Sequence, residues 1–576
     1  MPALQAPLSS KLVLGLASMI AVLALPATGF AQADSVPATD TIPAADTVTR
    51  RDDISLQSTP PVIDTIIVNR SNVFPPEVAE GSGVFRVMNA IHVVTKEYVI
   101  RNELLFEAGQ PLDSVRLAET ERNLRKKNIF REVTFDTTRV GERLAVEVNT
   151  RDGWSLKPKF KFGAASDGTI TATIGINEIN LFGSGNQAYI AYDKQVDRQG
   201  VNASANFSRI LTTNLDVRGN YAGLSDGRNG NWYLGFPLRS VQSSKGLEHN
   251  GLAANQNVIQ YRVDDAGEDS TVFRREALIL DLDATLALRT SGSGFVRVGA
   301  HGEFRNEGYS GSDSLGLGVP AIPDSLYGVF GGFVEANRVR FWEVNRLNGF
   351  GTEDVDLSPS LRLGVDVALS GLGYEKSGIG PSIRAAGGIP LPNGFVWAAL
   401  DANGLWNSAG LDSGRVLLSV SAGFKPADKH ALVGQIQTGL LENTPPGSEF
   451  DLGYQNAPRS WAPHAFVGTR TIWSMAEYRW FAFNNLLNLA DVAIAAFADY
   501  GGAWYEDQDR RFGGNIGLGL RSGSALATVA TTGRLDFGWR FGDDLGDGSE
   551  FVVSFGSGFV FPRRTAPAIS YKASPP

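Results

Sequence analysis

The stretch Leu357-Ser358-Pro359-Ser360-Leu361-Arg362-Leu363-Gly364-Val365-Asp366-Val367-Ala368-Leu369-Ser370 decides the fold class. Leu357, Pro359, Leu361, Leu363, Val365, Val367 and Leu369 fall on one face, and the polar and small residues between them fall on the other. Successive strand side chains point to opposite sides of a sheet, so a period of two reads as a strand with one apolar and one polar face. The same alternation runs from about Trp154 to Phe561. Leu278, Leu280, Leu282, Leu286 and Leu288 alternate with Asp281, Asp283, Thr285 and Arg289. Leu535, Phe537, Trp539 and Phe541 alternate with Arg534, Asp536, Gly538 and Arg540. No apolar run in this region is long enough to cross a membrane as a helix. Alternation by itself suits a soluble sandwich, which buries its apolar face, or a membrane barrel, which turns that face to lipid. In a barrel the charges must line the lumen, because an acid or a guanidinium at the lipid midplane costs about 2–4 kcal/mol.

The rest of the chain favours the barrel. Lys11 precedes an apolar run from Leu12 to Leu25, and Ala31-Gln32-Ala33 follows with small residues where signal peptidase requires them. Residues 1–33 therefore read as an export signal; the alternative is a membrane anchor, for which the run is short. An exported chain of 576 residues without cysteine has no disulfides to hold it, and a closed hydrogen-bonded sheet is one other means. The net charge of −9 argues against a nucleic-acid partner. The 65 glycines and the 10% aromatic content suit a sheet protein with many turns and aromatic girdles. At about 25 residues per strand and connection, residues 152–561 fit a transmembrane antiparallel β-barrel of about sixteen strands.

Between the export signal and the barrel lie two different segments. Residues 34–61 are rich in Ala, Asp, Thr, Ser and Pro and read as a flexible lead-in. Residues 62–151 read as a small α+β unit. A strand at Val62–Val68 leads through a loop around Pro75 and Pro76 to two helical stretches, about Lys96–Glu107 and Leu112–Lys127. Two strands follow, Glu132–Thr137 and Arg143–Thr150. Asp113 is placed to cap the second helix, and Arg125, Lys126 and Lys127 suit its last turn. Residues 562–576 form a tail that starts at the strand-stopping Pro562.

The run from Tyr98 to Leu112, together with Leu124–Phe130 leading into Val133, resembles a POTRA domain, the periplasmic module of the BamA/TamA superfamily of outer-membrane barrels (bacterial surface antigen type). A single such unit fits ahead of the barrel. Glu178-Ile179-Asn180-Leu181-Phe182-Gly183-Ser184-Gly185 resembles an early hairpin motif of the same superfamily. The resemblance extends to a loop motif: Leu452-Gly453 is followed by Arg459-Ser460-Trp461, then by Gly468 and Glu477. This spacing is similar to the superfamily's sixth extracellular loop, which folds back into the lumen. A competing alignment places Gly453-Tyr454 on the family's Gly-Tyr pair and leaves Leu452 at the arginine position.

The resemblance implies that Arg459 pairs with an acid on the inner wall. Asp499, two residues before Gly501, is its expected partner, and Glu477 is a second acceptor. A guanidinium buried in a lumen needs a carboxylate of matching fork geometry. Gly517, Gly519 and Arg521 are expected to leave room for the loop. The resemblance further implies a lateral seam between the first strand, with Pro158 and Phe160, and the last, with Phe555, Gly556 and Phe559.

The five histidines show no metal-ligand spacing and no nucleophile elbow is present, so neither an enzyme nor a cofactor is expected. The leading functional expectation is insertion or translocation of proteins at the outer membrane of a diderm bacterium, with the POTRA-like unit in the periplasm. The partners would be outer-membrane lipid, unfolded or exported client polypeptides, and periplasmic accessory proteins. A dedicated secretion pore, a passive channel, and a surface protein working through loops such as Gly308–Asp324 stay open as alternatives.

Overall fold

The computed structural model describes residues 60–140, 143–164, 170–210, 213–264, 267–311, 322–443, 445–453, 458–459, 461–486, 490–524, 532–542 and 550–557. The export signal, nearly all of the lead-in, Ser460, Phe559 and the tail lie outside them, as does most of the Gly308–Asp324 loop.

The region after Trp154 is a closed antiparallel barrel. Each strand pairs with the next in the chain, and the ring closes between the first strand, Leu156–Ala164, and the last, Glu550–Ser557. Among the described residues it has twenty strands, not about sixteen. The expected length per strand was too generous. The early strands are only eight to ten residues long, and connections such as Ser225-Asp226, Gly292-Ser293 and Ser408-Ala409 are tight. Gly227 and Gly410 open the strands after two of these turns with φ of +150° and +121°.

The distribution of charge rules out a soluble sandwich. Arg305, Arg459, Arg479 and Arg521 are among the largest fully buried side chains, whereas Leu282, Leu286, Leu361, Leu363, Ile516, Leu518 and Trp539 are exposed on the outer wall. In Thr532–Gly542, Arg534, Asp536 and Arg540 face inward while Phe537, Trp539 and Phe541 face outward. This polarity is the one lipid imposes on a barrel. The strand expected from Leu357 onward is shorter than its alternation. The strand with Leu361, Leu363 and Val365 on its outer face begins at Ser360; Leu357 precedes it and is buried.

The N-terminal unit has a three-stranded sheet in which β1 (Ile63–Ser71) runs parallel to the central β3 (Arg143–Asp152) and β2 (Phe130–Val140) antiparallel to it. Four helices accompany it, two more than the sequence suggested. α1 (Pro76–Glu80) and α2 (Gly83–Ile91) occupy the stretch read as loop, where Pro75, Pro76, Gly81 and Gly83 hid a helical period. α3 (Glu97–Arg101) and α4 (Ser114–Lys126) lie within the expected helical stretches. Asp113 caps α4, accepting from the backbone N–H groups of Val115 (2.9 Å) and Arg116 (3.3 Å). Val99, Ile100, Leu124 and Ile129 pack on Val133 and Val148 as this unit's core.

The unit is bound to the near mouth of the barrel. Along α4, Glu119 accepts from the Val241 N–H (2.7 Å), Asn123 donates to the Arg239 carbonyl (3.2 Å) and Arg116 donates to Gln242 (2.8 Å). The Glu178–Gly185 motif does more than turn the chain. Asn180 donates to Thr95 Oγ1 (2.8 Å), and a Cβ on Gly183 would fall 2.6 Å from the Val94 carbonyl oxygen. The motif is a docking knuckle between wall and domain.

Candidate functional site

Among the described residues two inserts enter the bore between the ring strands. From the near end comes a hairpin, Phe341–Asn345 paired with Thr352–Asp356. From the far end comes the connection between the strands His430–Glu442 and Arg470–Leu486, folded on itself where Phe450–Leu452 pairs with Phe466–Gly468. The two share one apolar core. Val344, Leu347 and Val355 of the hairpin belong to the same buried cluster as Phe450, Leu452, Trp461 and Phe466 of the loop, with Phe395, Trp473 and Phe481 from the wall.

Arg459 lies in this loop. Its Nε donates to Asp499 Oδ2 (2.7 Å) and its Nη2 to Asp499 Oδ1 (2.9 Å), a two-pronged fork. Its Nη1 donates to Glu477 Oε2 (2.6 Å), and its backbone N–H donates to Asp499 Oδ2 (3.1 Å). The guanidinium lies 4.3 Å from the ring centroid of Phe497. The structure thus brings together the three residues singled out for a loop-to-wall contact, and it uses both acids at once.

The network is larger than the sequence disclosed. Glu477 also accepts from Arg479 Nε (2.8 Å) and Arg521 Nη2 (2.8 Å). Arg521 Nη1 donates to Asp536 Oδ1 (2.6 Å), and Arg534 Nε approaches the other oxygen, Oδ2, at 2.9 Å. Four guanidiniums therefore share three carboxylates, with Arg459, Arg479, Glu477 and Asp536 almost wholly shielded from solvent. A buried charge is tolerable only when its partners satisfy it. The signal for Arg479, Arg521, Arg534 and Asp536 was present as inward-facing charges on alternating strands. Their mutual pairing depends on strand register, which alternation does not specify.

Arg479 connects this network to the hairpin. It donates to the Leu347 carbonyl (2.5 Å) and to Asn348 Oδ1 (3.1 Å) at the hairpin tip. Glu353 holds that tip closed, accepting from the N–H groups of Leu347, Asn348 and Gly349 at 3.0, 2.6 and 2.8 Å. At the hairpin's other end Asp354 takes a two-pronged contact from Arg125 of α4, both bonds 2.9 Å. A continuous set of contacts therefore leads from the N-terminal unit through the hairpin to Arg459. The hairpin does not stand out in the sequence, because its short strands are one more alternating segment.

Of the loop-motif residues, Trp461 is buried and its indole N–H donates to the Gly514 carbonyl (3.2 Å). Gly453 has φ of +127°, and a Cβ there would meet the Ala462 carbonyl oxygen at 2.2 Å. A Cβ on Gly468 would lie 2.0 Å from the Trp504 carbonyl carbon. The space for the loop is provided by Gly513, where a Cβ would lie 2.4 Å from Trp461. Gly517 and Gly519, expected to leave room for it, do not touch the loop directly; a Cβ on Gly517 would lie 2.6 Å from Phe497, the ring beneath Arg459. Gly519 instead abuts Asp536 and Arg521.

The loop also reaches the opposite wall, nine places around the ring. His464 stacks on Tyr261 with ring centroids 3.8 Å apart, and it bonds Asp451 (2.8 Å) and faces Asp197 (3.5 Å). Burial works against its protonated form, but the two carboxylates outweigh burial and push its pKa up to about 10. Near the other mouth, burial of Glu103 is outweighed by Lys127 and Arg209, which hold its carboxyl below the usual range.

At the seam, Pro158 and Phe160 of the first strand and Phe555 of the last face outward, with Phe160 75% exposed. Gly556 pairs with Arg534 on the inner neighbour.

No family model matches the chain, and neither does any curated protein sequence. Solved structures do. CdiB from Escherichia coli is similar at 10% identity over 89% of this chain and 92% of that one, with a TM-score of 0.45. CdiB from Acinetobacter baumannii is similar at 10% identity over 87% and 74%, with a TM-score of 0.41. BamA from Haemophilus ducreyi lacking POTRA domains 1–3 is similar at 11% identity over 86% and 84%, with a TM-score of 0.38.

Proposed function

We propose that this chain is an outer-membrane barrel of the BamA/TamA type that assists insertion or translocation of polypeptides at the outer membrane of a diderm bacterium. The observation that carries this reading is the lumen loop held by Arg459 to Asp499 and Glu477 inside a closed ring. In this reading the N-terminal unit is POTRA-like and lies in the periplasm, where a client strand adds to a free sheet edge. The seam then opens sideways, and the edges of the first and last strands pair with the client. No covalent chemistry is required; the work comes from unpaired strand edges.

The filled lumen favours this mechanism over a passive channel. Hairpin and loop meet in one apolar core, and the loop spans from the Arg470–Leu486 strand to Tyr261 across the bore. A dedicated secretion pore for one exported partner would use the same parts, with the loop and hairpin moving instead of the seam.

The chain has no cysteine, so a cysteine pair can be placed with one member in Leu156–Ala164 and the other in Glu550–Ser557. Oxidation is expected to stop client insertion and reduction to restore it. Full function with the seam locked overturns lateral opening.

A further inference from the structure

We infer that α2 is a membrane-surface helix, lying in the periplasmic leaflet beside the first barrel strands. This rests on the outer-membrane reading above. The inner side of α2 is committed to the protein: Phe85 stacks on Phe74 at 4.3 Å, Met88 packs beside it, and Asn89 exchanges hydrogen bonds with the Phe74 backbone at 2.9 and 3.1 Å. Its outer side carries Val84, Val87 and Ile91, spaced three and four residues apart on one stripe and 61–66% exposed. Val93 continues the stripe just beyond the helix. Between Gly81 and Lys96 the only charged residues are Arg86 and Lys96, both cationic. A short apolar stripe edged by cations is the composition of an interfacial helix on anionic lipid.

Continuity with the lipid-facing wall identifies the occupant. Trp154, which packs against the α1–α2 cluster, lies two residues before the first barrel strand. The Lys96 N–H donates to the Gly183 carbonyl (2.8 Å), and a Cβ on Gly183 would lie 3.1 Å from Val93 Cγ1. Beside that contact, Phe182 is held at φ of +52° with its ring 73% exposed. A left-handed backbone is uncommon for a bulky residue, and here it turns the ring outward. Leu156 and Ile176 of the wall above it are also exposed. The apolar surface thus passes from the barrel wall through Phe182 and Val93 onto α2.

The full-length chain carrying Val87→Cys or Ile91→Cys, labelled with an environment-sensitive fluorophore, tests this in vesicles of phosphatidylethanolamine and phosphatidylglycerol containing nitroxide lipids. Leu286→Cys on the wall serves as the membrane reference and Glu77→Cys on α1 as the aqueous one. Labels at 87 and 91 are expected to be quenched several-fold more than the label at 77, most strongly by a shallow nitroxide. Quenching at 87 and 91 equal to that at 77, with 286 quenched, overturns the inference and leaves the barrel reading intact. Absence of quenching at 286 sinks the barrel reading instead. Two further outcomes also overturn the inference: disulfide pairing of Val87→Cys between two copies in place of quenching, and shielding that appears only when an unfolded barrel polypeptide is added.

Discussion

Replacing Arg459 by alanine should release the lumen loop without dissolving the barrel. The substitution removes both prongs to Asp499 and the third bond to Glu477. The consequences for the two acids differ. Glu477 keeps Arg479 and Arg521. Asp499 keeps the backbone N–H of residue 459 (3.1 Å) and a long contact from Asn515 (3.4 Å), and it remains a buried carboxylate with no other ion-pair partner among the described residues. Breaking a buried pair by removing one member costs about 3–5 kcal/mol. Applied to loop opening alone, that raises the open population by about two to three and a half powers of ten. The assay is the rate at which Ala465→Cys, the sole thiol in this chain, reacts with a water-soluble maleimide. When opening and closing are fast, that rate reports the open fraction. Arg459→Ala should accelerate labelling at least a hundredfold. Arg459→Lys should fall between, because an ammonium carries the charge but not the fork. The double change Arg459→Ala with Asp499→Ala should cost less than the sum of the singles. Labelling rates within twofold of the parent for Arg459→Ala would refute the lock.

Other outcomes follow from the same contacts. Gly513→Leu places a side chain where Trp461 lies and should open the loop as Arg459→Ala does, at a cost of about 1–3 kcal/mol from overpacking. Removing the hairpin tip, Asn348–Gly351, should raise single-channel conductance of the purified protein while leaving Ala465→Cys labelling closer to the parent rate. The raised pKa of His464 makes its contribution complete below about 6.5, the unfolded value, and lost as pH rises through about 10. Once corrected for ionisation of the thiol itself, labelling near the loop should therefore quicken in alkali, and His464→Gln should abolish that remaining dependence. Glu103 has the opposite sign. Its depressed pKa stabilises the domain–barrel contact at neutral pH and ceases to do so in acid, so Glu103→Gln should flatten the acid limb of proteolytic release of the N-terminal unit.

The sheet, its closure and the polarity of its faces were legible because a strand's side-chain period is two and lipid reverses the usual placement of charge. Arg459, Asp499 and Glu477 were legible through a spaced motif. What stayed hidden has physical reasons. Strand number depends on turn length, which Gly227 and Gly410 shorten locally without altering the alternation. The hairpin at Phe341–Asp356 alternates like any wall strand, and only its partners reveal that it enters the bore. The pairing of Arg521 with both Glu477 and Asp536 depends on a register that a slip of one residue would invert. Helix α2 was read as loop because glycine and proline surround it, although Val84, Val87 and Ile91 keep a helical spacing.

The proposed function is delivery of polypeptides into or across the outer membrane. Quantitative inventory of outer-membrane and released proteins after depletion of this chain tests it most directly. Selective loss of one or more barrel or exported proteins is expected, restored by the parent chain but not by one whose seam is locked by a disulfide. An unchanged inventory, together with a large steady conductance of the purified barrel, would contradict it.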